Sequence, residues 1–180
     1  MQCPKCKDVV LVDEQLQENL SAKSCPQCMG RWIQSFQYWK WLDAHGDILA
    51  EKPLSCKADL ASADSPAGKL CPECGCFLRH NPVGHNVDFC LDRCNNCGGI
   101  WFDKNEWEIL VSRNLHDQTH FIFSAAWQRE IREDETKLTR EQRIEKIVGT
   151  EDYKKLKEIA AWITANEHKN TMLSYLQYHE

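Results

Sequence analysis

The sequence predicts an α+β fold: two small four-cysteine units, each a β-hairpin plus a short helix, followed by a C-terminal all-α helical domain. Three observations predict it. Eight of the eleven cysteines fall into four pairs with one spacing, Cys3/Cys6, Cys25/Cys28, Cys71/Cys74 and Cys94/Cys97. The stretches that join and follow these pairs repeat. From about Asn114 onward the cysteines stop and apolar residues recur at helical spacing. The chain divides accordingly into a first unit with its helix (1–43), a linker (44–70), a second unit with its helix (71–113) and a helical domain (114–180).

The repeat is an internal duplication of a unit of roughly 40 residues. Eighteen residues separate Cys6 from Cys25 and nineteen separate Cys74 from Cys94. Sliding one half over the other sets Pro4 on Pro72, Gly30 on Gly99, Trp32 on Trp101, Leu20 on Phe89 and Ala22 on Leu91.

The spacing has a physical reason. Two residues between cysteines let a tight turn aim both sulfurs at one ion, and two such turns complete a tetrahedron of thiolates about 2.3 Å from zinc. A unit this short buries too little surface to fold alone. A structural metal supplies the difference, on the order of 10–16 kcal/mol. One Zn2+ is therefore expected on Cys3, Cys6, Cys25 and Cys28 and a second on Cys71, Cys74, Cys94 and Cys97. A four-thiolate set also accepts iron, and that alternative stays open here. Dithiol redox chemistry fits less well, because it uses one pair on a larger α/β scaffold rather than four pairs in two matched sets. An odd cysteine count also weighs against a closed disulfide framework.

The elements follow in order. In "HNVDFCLDRC" Val87, Phe89 and Leu91 alternate with Asn86, Asp88 and Asp92, a strand pattern with one inward face. After Cys97, Gly98 and Gly99 let the chain turn closely around the metal. Ile100-Trp101-Phe102 is β-prone. Asp103, with Glu106 three residues on, has the form of a capping box, and Trp107, Leu110 and Val111 give the next helix its apolar face.

With a CPxC pair, a hairpin, then CxxCGG, an aromatic, an Asp and an acidic helix start, the chain resembles the transcription factor IIB-type zinc-ribbon family of small bacterial proteins. Cys71-Pro72-Glu73-Cys74 and "CNNCGGIWFDKNEWEIL" match the pattern closely. The first copy departs from it: Met29 stands at the first glycine position and Gln34 at the Asp position. The resemblance covers residues 1–43 and 71–111. It implies zinc on the cysteines and a transcription-related role.

Between the units, Ser, Ala, Asp, Gly and Pro dominate, as in a linker. In the tail, Phe123, Trp127, Ile131 and Leu138 recur at helical spacing, Thr139 with Gln142 has the form of a capping box, and Gly149 reads as a stop. Two more helices are expected near 151–165, with Tyr153, Leu156, Ile159, Ala160 and Ile163 inward, and near 169–178, with Met172, Leu173 and Leu176.

Remaining candidates have plain readings. Cys76 and Cys90 lie outside the four-ligand pattern and are expected as small packed residues of the hairpin, with ligand exchange or thiol sensing as the sharper alternative. Cys56 is an incidental thiol of the linker. His116 and His120 are four apart but lack a third ligand, so they are expected at the surface or at helix ends, as are His80 and His85. Trp32, Trp101, Trp107, Trp127 and Trp162 are expected in cores. A helix cannot bury both Trp39 and Trp41 on one face, so one of that pair should meet a partner or the other unit.

Charge narrows the function. The formal net charge is −5, and each four-thiolate zinc site changes it by about −2, giving roughly −9 with both sites filled. In the second unit Arg79, Arg93 and Lys104 face Glu73, Asp88, Asp92, Asp103, Glu106 and Glu108; residues 112–180 hold 11 basic and 12 acidic groups. No basic stripe emerges, so nucleic-acid binding, which draws on phosphate neutralisation, is disfavoured and a protein partner is expected. Mean hydropathy is −0.57 and apolar runs are short, so no membrane partner is expected. The start of the chain lacks a secretory pattern, and a cytoplasmic location is expected. No catalytic motif is present, and four cysteines close a zinc site to substrate, so the expectation is a recognition module and no enzyme. That module acts either in transcription, through polymerase-type or nucleic-acid contacts, or as a general protein–protein adaptor.

Overall fold

The computed structural model describes residues 1–45, 61, 62, 64, 67–85 and 87–178. Cys56 and most of the linker lie outside the described residues. The chain forms two compact units, Met1–Ile131 and Arg132–Glu180.

The first unit is built on one antiparallel six-stranded sheet in the order β1-β2-β3-β6-β5-β4. The first copy contributes β1 (Val12–Gln17), β2 (Leu20–Ser24) and β3 (Arg31–Ile33), then helix α1 (Ser35–His45). The second contributes β4 (Leu78–Gly84), β5 (Val87–Cys94) and β6 (Ile100–Phe102), then α2 (Glu106–Ser112). The copies are not separate: β3 pairs with β6, in the register Arg31↔Phe102, Trp32↔Trp101 and Ile33↔Ile100. Equivalent tryptophans thus face each other, and the duplication meets itself around a local two-fold.

Strand alternation sorts the side chains into two cores. One face buries Leu20, Ala22, Ile33, Phe89, Leu91, Ile100 and Phe102 against Tyr38 and Trp41 of α1, Trp107 and Leu110 of α2, and Ile122. The other face carries Trp32 and Trp101 with all eight paired cysteines except Cys74. Val87, Phe89 and Leu91 point inward as the alternation requires, but Asp92 is buried too. Its charge is matched by the buried Lys69 ammonium, which also reaches Asp103 at 3.1 Å.

The second glycine of each copy answers to the opposite copy. A Cβ on Gly99 would lie 2.2 Å from Trp32 Cζ2, and one on Gly30 would lie 2.2 Å from Trp101 Cζ2. Gly99 is therefore required by the tryptophan of the other hairpin rather than by the metal turn. Only Gly98 of that pair has the left-handed backbone of the turn, with φ +75°.

The expected capping box forms by half. Glu106 Oε2 accepts the Asp103 N–H at 2.7 Å, but the Asp103 carboxylate does not cap the helix. It accepts Trp101 Nε1 at 3.1 Å and Lys5 Nζ at 3.1 Å. The two lysines outcompete the helix N–H groups because a buried carboxylate needs a full countercharge.

Residues 114–131 fold onto this unit. Helix α3 (Thr119–Ile122) buries Ile122, and the start of α4 (Ala125–Val148) clamps the second hairpin. Trp127 Nε1 donates to Val83 O at 2.8 Å, and Gln128 Nε2 donates to Pro82 O and Ile122 O, both at 2.8 Å.

In the second unit α4 runs unbroken to Val148, so Thr139 and Gln142 lie inside a helix and form no cap; the surrounding good helix formers carry the turn through. Gly149, at φ +84°, ends α4 and leads into α5 (Thr150–Thr164). Helix α6 (Lys169–Gln177) follows. Ile163 is buried and Tyr153 and Met172 are half-buried, but Leu138, Leu156, Ile159, Ala160, Trp162, Leu173 and Leu176 are exposed. The inward placement expected of these seven fails because two short helices and the end of a third offer too little surface to cover them.

Replacing Gly99 with Ala is expected to destabilise the first unit by about 1–3 kcal/mol, because the new methyl group drives into the buried Trp32 ring. Thermal melts of zinc-loaded protein check this; an unchanged melting temperature would contradict the interlocked pair.

Candidate metal centres

Each cysteine pair closes a tight turn, and the four turns share one design. The backbone after the first cysteine returns to its carbonyl: Lys7 N–H to Cys3 O, Met29 N–H to Cys25 O, Gly75 N–H to Cys71 O and Gly98 N–H to Cys94 O, at 2.8–3.0 Å. The residue that closes each turn is left-handed: Lys7 (φ 62°), Met29 (φ 60°), Gly75 (φ 73°) and Gly98 (φ 75°). The second copy uses glycine at both places. The first uses side-chain residues, which pay a steric cost of about 1–2 kcal/mol each.

These turns converge on two pockets. Within each set of four, the sulfur atoms all lie within 4.8 Å of one another. Cys3 Sγ is 3.6 Å from Cys28 Sγ, and Cys25 Sγ is 3.9 Å from Cys6 Sγ. In the second set, Cys71 and Cys97 are 3.5 Å apart and Cys74 and Cys94 3.4 Å apart. A zinc tetrahedron with bonds of about 2.3 Å has edges of about 3.8 Å, so both pockets fit the ion. Backbone N–H groups point at the sulfurs, Cys6 N at Cys3 Sγ (3.3 Å), Cys28 N at Cys25 Sγ (3.5 Å) and Cys74 N at Cys71 Sγ (3.4 Å), where they stabilise thiolate charge.

The thiols divide sharply. Burial raises Cys3 and Cys71 to about 11 and also pushes Cys28 and Cys97 up. Burial opposes ionisation of Cys25 too, yet the Cys28 and Gln27 N–H groups hold it down to about 7. Cys74 is exposed and is held down to about 6, chiefly by the Cys76 N–H. Cys25 and Cys74 thus ionise readily while Cys3, Cys28, Cys71 and Cys97 resist, first because they are buried and then because thiolates packed this closely repel. A dication removes that conflict, and four thiolates with one dication is the chemistry that both pockets suit.

Other residues singled out in the sequence land elsewhere. Cys76 is exposed rather than packed, just past its turn, and its carbonyl accepts the Cys71 N–H at 2.7 Å. Cys90 is half-buried on β5. His116 is buried, contrary to the expected surface position, because its ring fills the space between Trp41 and Trp107, at 5.8 Å from each. His120 is half-buried, packed against Trp39. His80 pairs with Asp92 at 2.9 Å, and exposed His85 packs on Trp127. Trp41 is fully buried and Trp39 is 44 % exposed, so the pair splits as a single helix face demands. The sequence reading missed Lys69, whose burial depends on two carboxylates that only the fold brings together.

Residues 2–44 and 70–113 match the family model described as transcription factor zinc-finger. Both segments belong to that family. No curated protein and no solved structure matches the chain. The two four-cysteine pockets are thus a tandem pair of zinc ribbons, the first carrying the departures at Lys7, Met29 and Gln34. Among the described residues, no helix is long and apolar enough to cross a membrane.

Two outcomes follow for the ribbons. Elemental analysis of protein purified without added metal should give two zinc per chain. Cys94→Ser should lose one tightly held zinc and lower the melting temperature, whereas Cys90→Ser should keep both ribbon ions; equal losses would place Cys90 among the ribbon ligands. Separately, Met29→Gly should stabilise the first ribbon by about 0.5–1 kcal/mol, the steric relief of the left-handed turn less the entropy of an added glycine. A melting temperature that falls would show that the Met29 side chain contributes more than its backbone costs.

Proposed function

We propose that the protein is a structural-zinc recognition module that docks on a protein, with Cys3, Cys6, Cys25 and Cys28 holding one Zn2+ and Cys71, Cys74, Cys94 and Cys97 the other. It has no catalytic role in this reading, since each ion has all four positions filled by sulfur. The family's name suggests a transcription-related role, for which the partner we propose is of the polymerase type, and the cysteine chemistry suits the reducing cytoplasm.

The observation that carries the reading is an exposed aromatic patch on the first unit. Phe36 and Trp39, one turn apart on α1, are 58 % and 44 % exposed, and Phe121 on α3 is 53 % exposed. The His120 ring lies 5.0 Å from Trp39 and 4.1 Å from Phe121, joining α1 to α3. Tyr38 fixes that junction from beneath, donating its hydroxyl to Asp117 O at 2.8 Å. Burial lowers the pKa of His120, so the ring stays neutral and the patch apolar. Aromatic side chains held in place before binding are what protein interfaces use as anchors. The second unit, by itself, also exposes Trp162, Leu173, Tyr175 and Leu176.

Electrostatics supports protein over duplex DNA. Four basic groups of the first ribbon and the inter-ribbon seam, Lys5, Lys23, Arg31 and Lys69, are engaged by Asp103, Asp13, Glu14, Glu108 and Asp92.

Fluorescence anisotropy with a labelled duplex at about 150 mM salt should show no binding at or below the micromolar range. Purified core RNA polymerase, tested by the same method with labelled protein, should bind, and Trp39→Ala should weaken that binding at least about tenfold at unchanged zinc content. Micromolar DNA binding that falls steeply with salt would overturn the protein-docking reading.

A further inference from the structure

We propose that the second hairpin carries a third, exchangeable cation site, formed by Asp64, His80 and Cys90 and suited to a borderline divalent ion of the zinc and cobalt class. The Asp64 carboxylate, a His80 ring nitrogen and Cys90 Sγ all lie within 4.8 Å of one another. The strand register places them there. His80 stands opposite Asp92 and Pro82 opposite Cys90, so His80 and Cys90 are diagonal neighbours on the face of the hairpin away from Phe89 and Leu91.

The imidazole is set up as a ligand. His80 Nδ1 lies 2.9 Å from Asp92 Oδ1. Asp92 is itself fixed by the buried Lys69. With Nδ1–H donating to the Asp92 carboxylate, Nε2, 3.7 Å from Asp64 Oδ2, keeps its lone pair toward the cluster. A carboxylate behind a histidine in this way fixes the tautomer and raises the basicity of the ligating nitrogen. Asp64 is also incompletely satisfied. Its Oδ2 accepts the Cys90 N–H at 3.0 Å, but its Oδ1 is buried with no hydrogen-bond partner among the described residues. A buried carboxylate oxygen without a donor is costly, and a cation beside it removes the cost.

The first ribbon shows that the hairpin does not need these groups to fold. By register, Asp13, Ser21 and Lys23 stand where the second ribbon has His80, Cys90 and Asp92. There Lys23 pairs with Asp13 across the strands, a plain ion pair. The second copy has exchanged that pair for sulfur, nitrogen and oxygen donors around one point. Three protein ligands leave one position for water, unlike the closed ribbon sites, and the His80 side chain is 39 % exposed, so an ion can enter from solvent.

The test is a titration of the intact zinc-loaded chain with Co2+ at neutral pH. One equivalent of cobalt should bind with a thiolate-to-cobalt charge-transfer band while elemental analysis still finds both ribbon zinc ions. Cys90→Ser should abolish the band, and His80→Gln should weaken cobalt binding at least about tenfold. Cys76→Ser should change neither. The ribbon zinc count and the melting temperature report whether each variant is folded; should Cys90→Ser fail that check, His80→Gln decides. The proposal falls if no cobalt binds beyond the ribbon ions, if cobalt binds only by expelling zinc, or if the band survives either substitution at unchanged affinity.

Discussion

Trp32 lies over Gly99, and Trp101 lies over Gly30, across the pairing of β3 with β6. Everything else in the first unit is arranged around this reciprocal contact. Each ribbon alone has a metal, a hairpin and one large aromatic with nowhere dry to go. Antiparallel pairing of equivalent strands gives each tryptophan the glycine of the other copy as its floor, and both rings become fully buried. The contact is isologous, as in a two-fold dimer, but it lies within one chain. It forces both sulfur clusters onto the same sheet face and leaves the opposite face for a single aliphatic and aromatic core.

The departures from that symmetry explain residues that neither copy alone accounts for. Trp101 Nε1 donates to Asp103 Oδ1. At the equivalent position the first ribbon has Gln34, and Trp32 Nε1 is buried with no hydrogen-bond partner among the described residues. The remaining oxygen capacity of Asp103 goes to Lys5 of the first ribbon and to Lys69, so one carboxylate ties the indole, the first knuckle and the approach to the second. On the far side of the seam, Arg31 of β3 bridges Glu14 of β1 to Glu108 of α2, at 3.1 and 2.6 Å. Half-buried charges placed this way add register more than stability, since their desolvation offsets much of their attraction. A hydrophobic contact sets the interface, and these polar links fix its alignment.

How much of this could be read from the sequence depends on the range of the cause. The two sulfur clusters were legible in full, because a tetrahedral ion imposes its geometry on four residues in two short turns. The strand alternation of Val87, Phe89 and Leu91 and the splitting of Trp39 from Trp41 were legible for the same reason: each follows from a local period. The β3–β6 seam was not, since two three-residue strands carry no signal of which edge they will join. Its trace was present all the same in the paired repetition of Gly30 with Trp32 and Gly99 with Trp101, although local turn chemistry assigned Gly99 to the metal. Asp103 was misread because a cap was the nearest use for it, and the lysines that claim it come from far along the chain. Leu138, Leu156, Leu173 and Leu176 show the opposite error: helical spacing identifies a face, but not whether anything covers it.

Coverage is also where fold meets function. Metal and interlocked tryptophans relieve the small sheet of the need to bury every aromatic residue. That freedom leaves Phe36, Trp39 and Phe121 at the surface, yet His120 and Tyr38 hold them in fixed positions. Lys5, Arg31 and Lys69 are meanwhile drawn into ion pairs along the seam, and an ion held by four thiolates leaves each ribbon more negative than its formal charge. A surface with immobilised aromatics and little free positive charge gains by desolvating apolar area and gains little by releasing counterions from phosphate. The same division of labour operates inside the second hairpin. With its fold secured by Cys71, Cys74, Cys94 and Cys97, the second hairpin can carry at His80 and Cys90 the nitrogen and sulfur donors that the first ribbon lacks at Asp13 and Ser21.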